Sequence, residues 1–208
     1  MAGKFITIEG IDGSGKTTQA GRIADWLKTR TGRETIRTFE PGGWDDGESF
    51  REIILHRNFC AMSELLLFLA DRSEHVNRVI LPALRQNVNV ICERWNESTL
   101  AYQAGGHELN PSQVRRIISA CSFPEPDMKI FLDIPPEIAV ERITSRGNRH
   151  DKFESEGLIL MRNVAKFYRL LADENPGNFA VIRCEGLSED DVFAEIIKTL
   201  EANLWRSR

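Results

Sequence analysis

What this 208-residue sequence lacks narrows it early. Its longest uninterrupted apolar run, residues 65–70, is far short of the ~20 residues that cross a bilayer, so no membrane partner is expected. The first fifteen residues show no basic segment followed by an apolar stretch and a cleavage site, so no secretory leader is expected. The four cysteines (Cys60, Cys92, Cys121, Cys184) are scattered, with no Cys-x-x-Cys pair and no Cys/His zinc spacing. Buried free thiols in a reducing cytoplasm are the expectation. Charge of one sign is missing too: 27 Lys and Arg against 31 Asp and Glu leave a net charge of −4. A nucleic-acid polymer is therefore not an expected partner, and any phosphate site must be local. No repeat, low-complexity tract or linker interrupts the chain, which reads as one domain over 1–208.

What is present is an alternation. Residues 4–9 are β-branched and aromatic and predict a strand. A glycine-rich turn follows, then a helix with Ala20, Ile23, Ala24 and Leu27 at offsets of three and four. Further strands are predicted at 34–39, 88–92, 128–132 and 179–183. Between them, helices are predicted at 50–56, at 63–85 as one long element, and after Asn110-Pro111 and Pro135-Pro136. Another carries Leu160, Val164, Phe167 and Leu171, and a last one is capped by Ser188 with Asp191. The fold class is α/β: a mainly parallel five-stranded sheet with helices on both faces. Ligands collect at the carboxyl ends of such strands, where Gly10, Glu40, Glu93 and Asp133 fall.

One motif carries chemistry by itself. Gly10-Ile11-Asp12-Gly13-Ser14-Gly15-Lys16-Thr17 matches Gly-x4-Gly-Lys-Ser/Thr, a pattern that arises by chance in roughly one chain in a hundred of this length. It also follows a predicted strand and opens a predicted helix. Backbone N–H groups of such a loop surround phosphate oxygens. Lys16 would reach the β- and γ-phosphates, and Thr17 would place its hydroxyl on Mg²⁺, with Thr18 completing the cradle. The plainer alternative is a glycine-rich turn with a solvated lysine. No Asn-Lys-x-Asp guanine-reading motif occurs, and the length leaves no room for the extra domains of most motors. A kinase for a small phosphate acceptor remains.

Further segments hold their order along nearly the whole chain: Glu40-Pro41-Gly42-Gly43, Phe50-Arg51, Leu67-Phe68-Leu69-Ala70-Asp71-Arg72 with His75, Glu93-Arg94-Trp95, Ser98-Thr99-Leu100-Ala101-Tyr102-Gln103, and Phe131-Leu132-Asp133. Together with the glycine loop they resemble the thymidylate kinases, P-loop nucleoside monophosphate kinases. The resemblance implies a three-layer fold with a mobile lid at about 142–154, and transfer of a phosphoryl group from ATP to dTMP with Mg²⁺. It implies that Phe68 stacks on the thymine, Arg72 hydrogen-bonds the base edge, and Ser98 and Thr99 face it. Arg94 and Arg51 would bind the 5′-phosphate, Asp12 would reach the 3′-hydroxyl, and Tyr102 and Gln103 would exclude a ribose 2′-hydroxyl. Glu93 would position metal or acceptor, and lid arginines such as Arg146 and Arg149 would neutralise charge on the transferring group. A cytoplasmic homodimer is implied as well. Read without the family, Phe68 and Tyr102 are also core aromatics, and Arg51, Arg72 and the lid are also solvated charges.

Four positions depart from the family pattern: Glu93 for Asp, Phe39 for Arg, Lys152 for Arg after Asp151, and Trp95 for a smaller aromatic. They leave two alternatives beside dTMP phosphorylation. One is a kinase for another nucleoside monophosphate, the other a nucleotide-binding protein without catalysis.

Overall fold

The structure, a computed structural model, describes residues 3–107, 109–145, 157–177 and 179–205. Five strands form one wholly parallel sheet: β1 (Phe5–Glu9), β2 (Thr35–Phe39), β3 (Asn89–Glu93), β4 (Met128–Asp133) and β5 (Phe179–Arg183). Their order is β2-β3-β1-β4-β5. Every residue of β1 is buried, as is nearly all of β3 and β4, because helices cover both faces and leave no solvent side for polar alternation. The edge strands β2 and β5 are only partly buried, with Arg37, Phe39, Val181 and Arg183 exposed.

Helix α1 (Lys16–Thr31) starts at Gly15 and stops at Gly32, both left-handed, and packs Ile23 and Leu27 into the main core. It returns the chain to β2 at one edge, whereas the chain leaving β3 crosses over β1 to β4. Neighbouring strands β1 and β3 thus send their connections opposite ways, which opens a crevice at their carboxyl ends.

Helix α2 (Gly47–His56) leads to α3 (Ala61–His75), expected as part of one helix over 63–85. It instead passes through a π turn, Val76–Ile80, into α4 (Leu81–Arg85). Pro82 accounts for the widening: its ring would crowd the carbonyl four residues back, and it has no N–H to offer it. A second π segment, Leu100–Gly106, continues the short helix α5 (Asn96–Thr99). It ends in Gly105 and Gly106, where an added Cβ would lie 2.6 Å from Phe167 and 2.5 Å from Leu160.

The caps read from the sequence are present. Asn110 accepts from the N–H groups of Ser112 and Gln113 at the start of α6 (Pro111–Ala120). After α7 (Pro136–Ser145) and α8 (Gly157–Glu174), Ser188 and Asp191 form a reciprocal capping box on α9 (Glu189–Leu204), worth about 1 kcal/mol. All four cysteines are free, but only Cys92 and Cys184 are buried as expected; Cys60, just before α3, and Cys121, at the end of α6, are exposed, because helix ends at the surface leave them outside the core. Among the described residues no helix is long and apolar enough to cross a membrane.

Candidate active site

The glycine loop emerges from β1 and wraps the N-terminus of α1. Only glycine fits at two of its turns: Gly10 and Gly13 have φ of 143° and 79°, and a Cβ would meet the Leu132 and Ala139 carbonyls at 2.9 and 2.6 Å. Lys16 is buried and its Nζ donates to the Gly10 and Ile11 carbonyls, 2.9 Å each, with Asp12 at 3.7 Å. Burial, then the charge of Arg94, pulls its pKa down to about 8, against the pull of Asp12 and Glu93. Thr17 Oγ1 donates to Glu93 Oε2 at 2.7 Å, so the two residues expected to hold a metal lie side by side. The cavity over this loop is lined by Asp12, Gly13, Gly15, Lys16, Thr17 and Thr18, with Glu93, Arg94 and Arg51 opposite. Ser14, Thr18, Arg142, Cys184 and Leu187 border a further hollow, where Arg142 Nη1 reaches the Gly13 carbonyl at 3.3 Å.

A second cavity opens beside the first. Phe68, Arg72, Arg51, Arg94, Ser98, Thr99, Tyr102 and Gln103 all line it, together with Asp12, Glu40, Pro41 and Leu55. Arg94 sits just past β3 with φ 70°, and its Nη2 is 2.5 Å from Asp12 Oδ1. Tyr102 hydroxyl donates to the other Asp12 oxygen at 3.2 Å. Burial works to raise the Asp12 pKa, but Arg94 and Lys16 outweigh it and bring it down to about 2. The cost of a carboxylate inside a phosphate loop is thus met by two cations.

Arg72 is not on a solvated face: it is 1% exposed. Its Nε donates to Glu40 Oε2 at 2.6 Å and its Nη1 to Asn96 Oδ1 at 2.9 Å, with the guanidinium 5.0 Å from the Trp95 ring centre. Trp95, bulkier than the family pattern, is fully buried, edge-on to Phe5 and under Arg72. The other oxygen of Glu40 faces His75 Nδ1 at 2.9 Å, and His75 Nε2 meets Thr38 Oγ1 at 2.6 Å. Next to Arg72, buried Asp71 accepts twice from the Gly42 N–H and once from Trp44 Nε1. Glu40, His75 and Cys92 bring potential ligand atoms within 4.8 Å of one another. Arg72 and His75 already occupy both Glu40 oxygens, and the Cys92 thiol, pushed well up by burial, points at the Arg94 carbonyl. That trio is a closed hydrogen-bonded network rather than a metal site.

Comparison with known proteins shows the family. A family profile described as thymidylate kinase matches residues 8–196. The chain belongs to the thymidylate kinase family. It is 38% identical over 202 residues to the thymidylate kinase of Thiobacillus denitrificans, covering 97% of this chain and 98% of that protein. It is 42% identical over 184 residues to that of Prochlorococcus marinus strain MIT 9312, covering 84% and 85%. The crystal structure of thymidylate kinase from Ehrlichia chaffeensis superposes with a TM-score of 0.77 at 31% identity, over 96% of this chain and 99% of that one.

Within this thymidylate kinase family member the expected residues fall into four groups. Those of the loop and the second cavity are brought together as described. Ser98 lines the cavity, but its hydroxyl turns inward to Glu9 Oε2 and the Tyr168 hydroxyl, 2.6 Å each. Arg146, Arg149 and Lys152 lie outside the described residues. Asp133, at the end of β4, is held by Arg169 through 2.7 and 2.9 Å contacts and lines neither of the two adjoining cavities. Sequence reasoning missed Arg37 on the wall of the loop cavity, and the buried partners Glu9, Asn96, Asp71 and Tyr168. Phe39, in the family's arginine position, is 41% exposed and has the Arg51 guanidinium 5.5 Å from its ring centre.

Proposed function

We propose that the two adjoining cavities carry out the family's reaction, phosphorylation of dTMP by ATP to give dTDP and ADP. The observation that supports it most is their shared wall: Asp12, Glu40, Arg51 and Arg94 line both. A donor phosphate held by the loop and an acceptor phosphate held by Arg94 and Arg51 would meet there, between fixed cations. Little covalent help is required, because phosphoryl transfer is accelerated chiefly by positioning and charge stabilisation.

In this reading the backbone of residues 10–18 and Lys16 hold the β- and γ-phosphates. Thr17 Oγ1 and Glu93 Oε2 suit Mg²⁺, since both are hard oxygen donors on the cavity wall, and the ion would supply charge neutralisation at the β,γ-phosphates. Phe68 stacks on the base, Arg72 donates to its edge, and Tyr102 and Gln103 close the sugar side. Asp12 takes the 3′-hydroxyl while its other role, balancing Arg94, continues. Arg146 and Arg149 are proposed to close over ATP as parts of a lid at about 142–154 in a single kinase domain. The extra methylene of Glu93 leaves the hydroxyl of Thr17 in reach, which argues for retained catalysis rather than binding alone.

A cytoplasmic homodimer is also proposed. Ile53 on α2, Phe59, and Leu66 on α3 are exposed apolar side chains that a second copy could cover. The decisive experiment is a coupled assay with ATP and Mg²⁺ against dTMP, dUMP, dCMP and dGMP. dTMP should be turned over fastest; equal rates with dCMP would point to another acceptor, and binding of both nucleotides without ADP formation to a non-catalytic protein.

A further inference from the structure

Glu64, in the first turn of α3, is a buried carboxylate to which no role has been given, 4% exposed. Its Oε1 accepts from Gln103 Nε2 at 3.0 Å and lies 3.5 Å from His107 Nε2. Gln103 belongs to the π segment and is itself 1% exposed, on the wall of the acceptor cavity.

A side-chain amide has a donor end and an acceptor end of nearly the same shape, whereas a carboxylate only accepts. Glu64 therefore settles which end of Gln103 faces it, and Oε1 is the end turned away. That oxygen accepts no hydrogen bond within the described residues, and Gln103 lines the cavity. On the same cavity Arg72 offers donors only, and its Nε and Nη1 are pinned by Glu40 and Asn96. A fixed acceptor and a fixed donor thus confront whatever base enters.

We propose that Glu64 is a positioning residue for base selection: by holding Gln103 Nε2 it presents Gln103 Oε1 as an acceptor for the imide N3–H of thymine or uracil, so that Gln103 faces the base and Tyr102 is left to close the sugar side. In cytosine the same edge is reversed, with a lone pair at N3 and an amino group at C4. Gln103 Oε1 would then face a lone pair and Arg72 an N–H, and both buried groups would go unpaired. The inference rests on the reading of this cavity as the dTMP site.

The test is the ratio of kcat/KM for dTMP to that for dCMP in wild type and in Glu64→Gln. Two facing amides pair in either orientation, so the variant keeps size and packing but frees Gln103 to turn over. The dTMP/dCMP ratio should fall by about tenfold or more, mostly through KM, while the thermal midpoint moves little. Gln103→Met, which keeps length and removes the amide, should lower the ratio similarly and decides the matter if Glu64→Gln does not fold. A folded variant of either kind with the wild-type ratio overturns the proposal, as does a wild type that uses dCMP as well as dTMP. A wild type inactive on every pyrimidine monophosphate would instead overturn the reading of the site.

Discussion

On the proposed reading, the loop that faces the donor and the cavity that faces the acceptor solve one problem, gripping a phosphate ester, with different materials. The donor side is nine consecutive residues, 10–18, whose grip comes from main-chain N–H groups, a helix terminus and one lysine. Its shape is guaranteed by glycines at positions where a Cβ would strike the Leu132 or Ala139 carbonyl. The acceptor side has almost no contiguous stretch. Its wall draws on residues from Asp12 to Gln103, and its polar and charged side chains are held by a second tier of buried partners. Arg72 depends on Glu40 and Asn96, Glu40 on His75, Gln103 on Glu64, and Ser98 on Glu9 and Tyr168. Backbone recognition is generic and cheap to maintain. Side-chain recognition can be specific, but each group must be desolvated and paired, so it is tied to stability.

That contrast can be broken by four measurements. The largest effect belongs to Lys16→Ala: kcat should drop by about a thousandfold or more, with unchanged dTMP affinity. Its thermal midpoint should hold or rise, because a lysine whose pKa is pulled down to about 8 by burial is no stabiliser as a cation. Loss of folding there would break the contrast. Glu40→Ala should do the opposite, leaving Arg72 and His75 facing an empty space. Uncovering a buried cation costs about 3–5 kcal/mol, so the midpoint should fall steeply and dTMP binding with it; a midpoint within a degree or two of wild type would show that the second tier does not carry the site. Arg72→Ala should raise the dTMP KM by roughly ten- to a hundredfold and leave the ATP KM alone. Equal shifts in both KM values would mean that the two sides are not separately built.

The most gradual effect is a pH slope. Burial, and then the charge of Glu97, pushes the Glu9 pKa up to about 7 from 4.5. The folded state then holds a proton that the unfolded state has released, so stability falls as pH rises from about 4.5 to 7 and levels off above. The sum is up to about 3 kcal/mol. Glu9→Gln has no proton to lose, so its thermal midpoint should decline less between pH 5 and pH 8 than that of wild type. Parallel declines would remove Glu9 from the list of titrating supports.

The same contrast explains what could be read in the chain beforehand. Gly10 to Thr17 was legible because everything the loop needs sits in eight adjacent letters, and Asn110 and Ser188 were legible because a cap acts over three residues. Phe68, Arg72, Arg94 and Tyr102 were assigned roles only through resemblance to a family. Their partners lay out of sight: Ser98 meets Glu9 across 89 positions and Tyr168 across 70, and no local pattern encodes such a pairing. The π turn at Val76–Ile80 was hidden for another reason. Apolar spacing of three and four persists through it, and Pro82 alone signalled that the ladder must change.

The two hydrogen bonds from the Gly42 N–H to Asp71 have a further consequence. Gly42 belongs to the connection between β2 and α2, and such amides normally trade their hydrogen for deuterium within moments. This one is buried and moored to a helix, and the next residue of that helix grips Glu40 two positions away. Deuterium should therefore enter at Gly42 on the schedule of α3 rather than of a loop. The connection between β2 and α2 would then behave, over minutes, as part of the α3 helix it is fastened to.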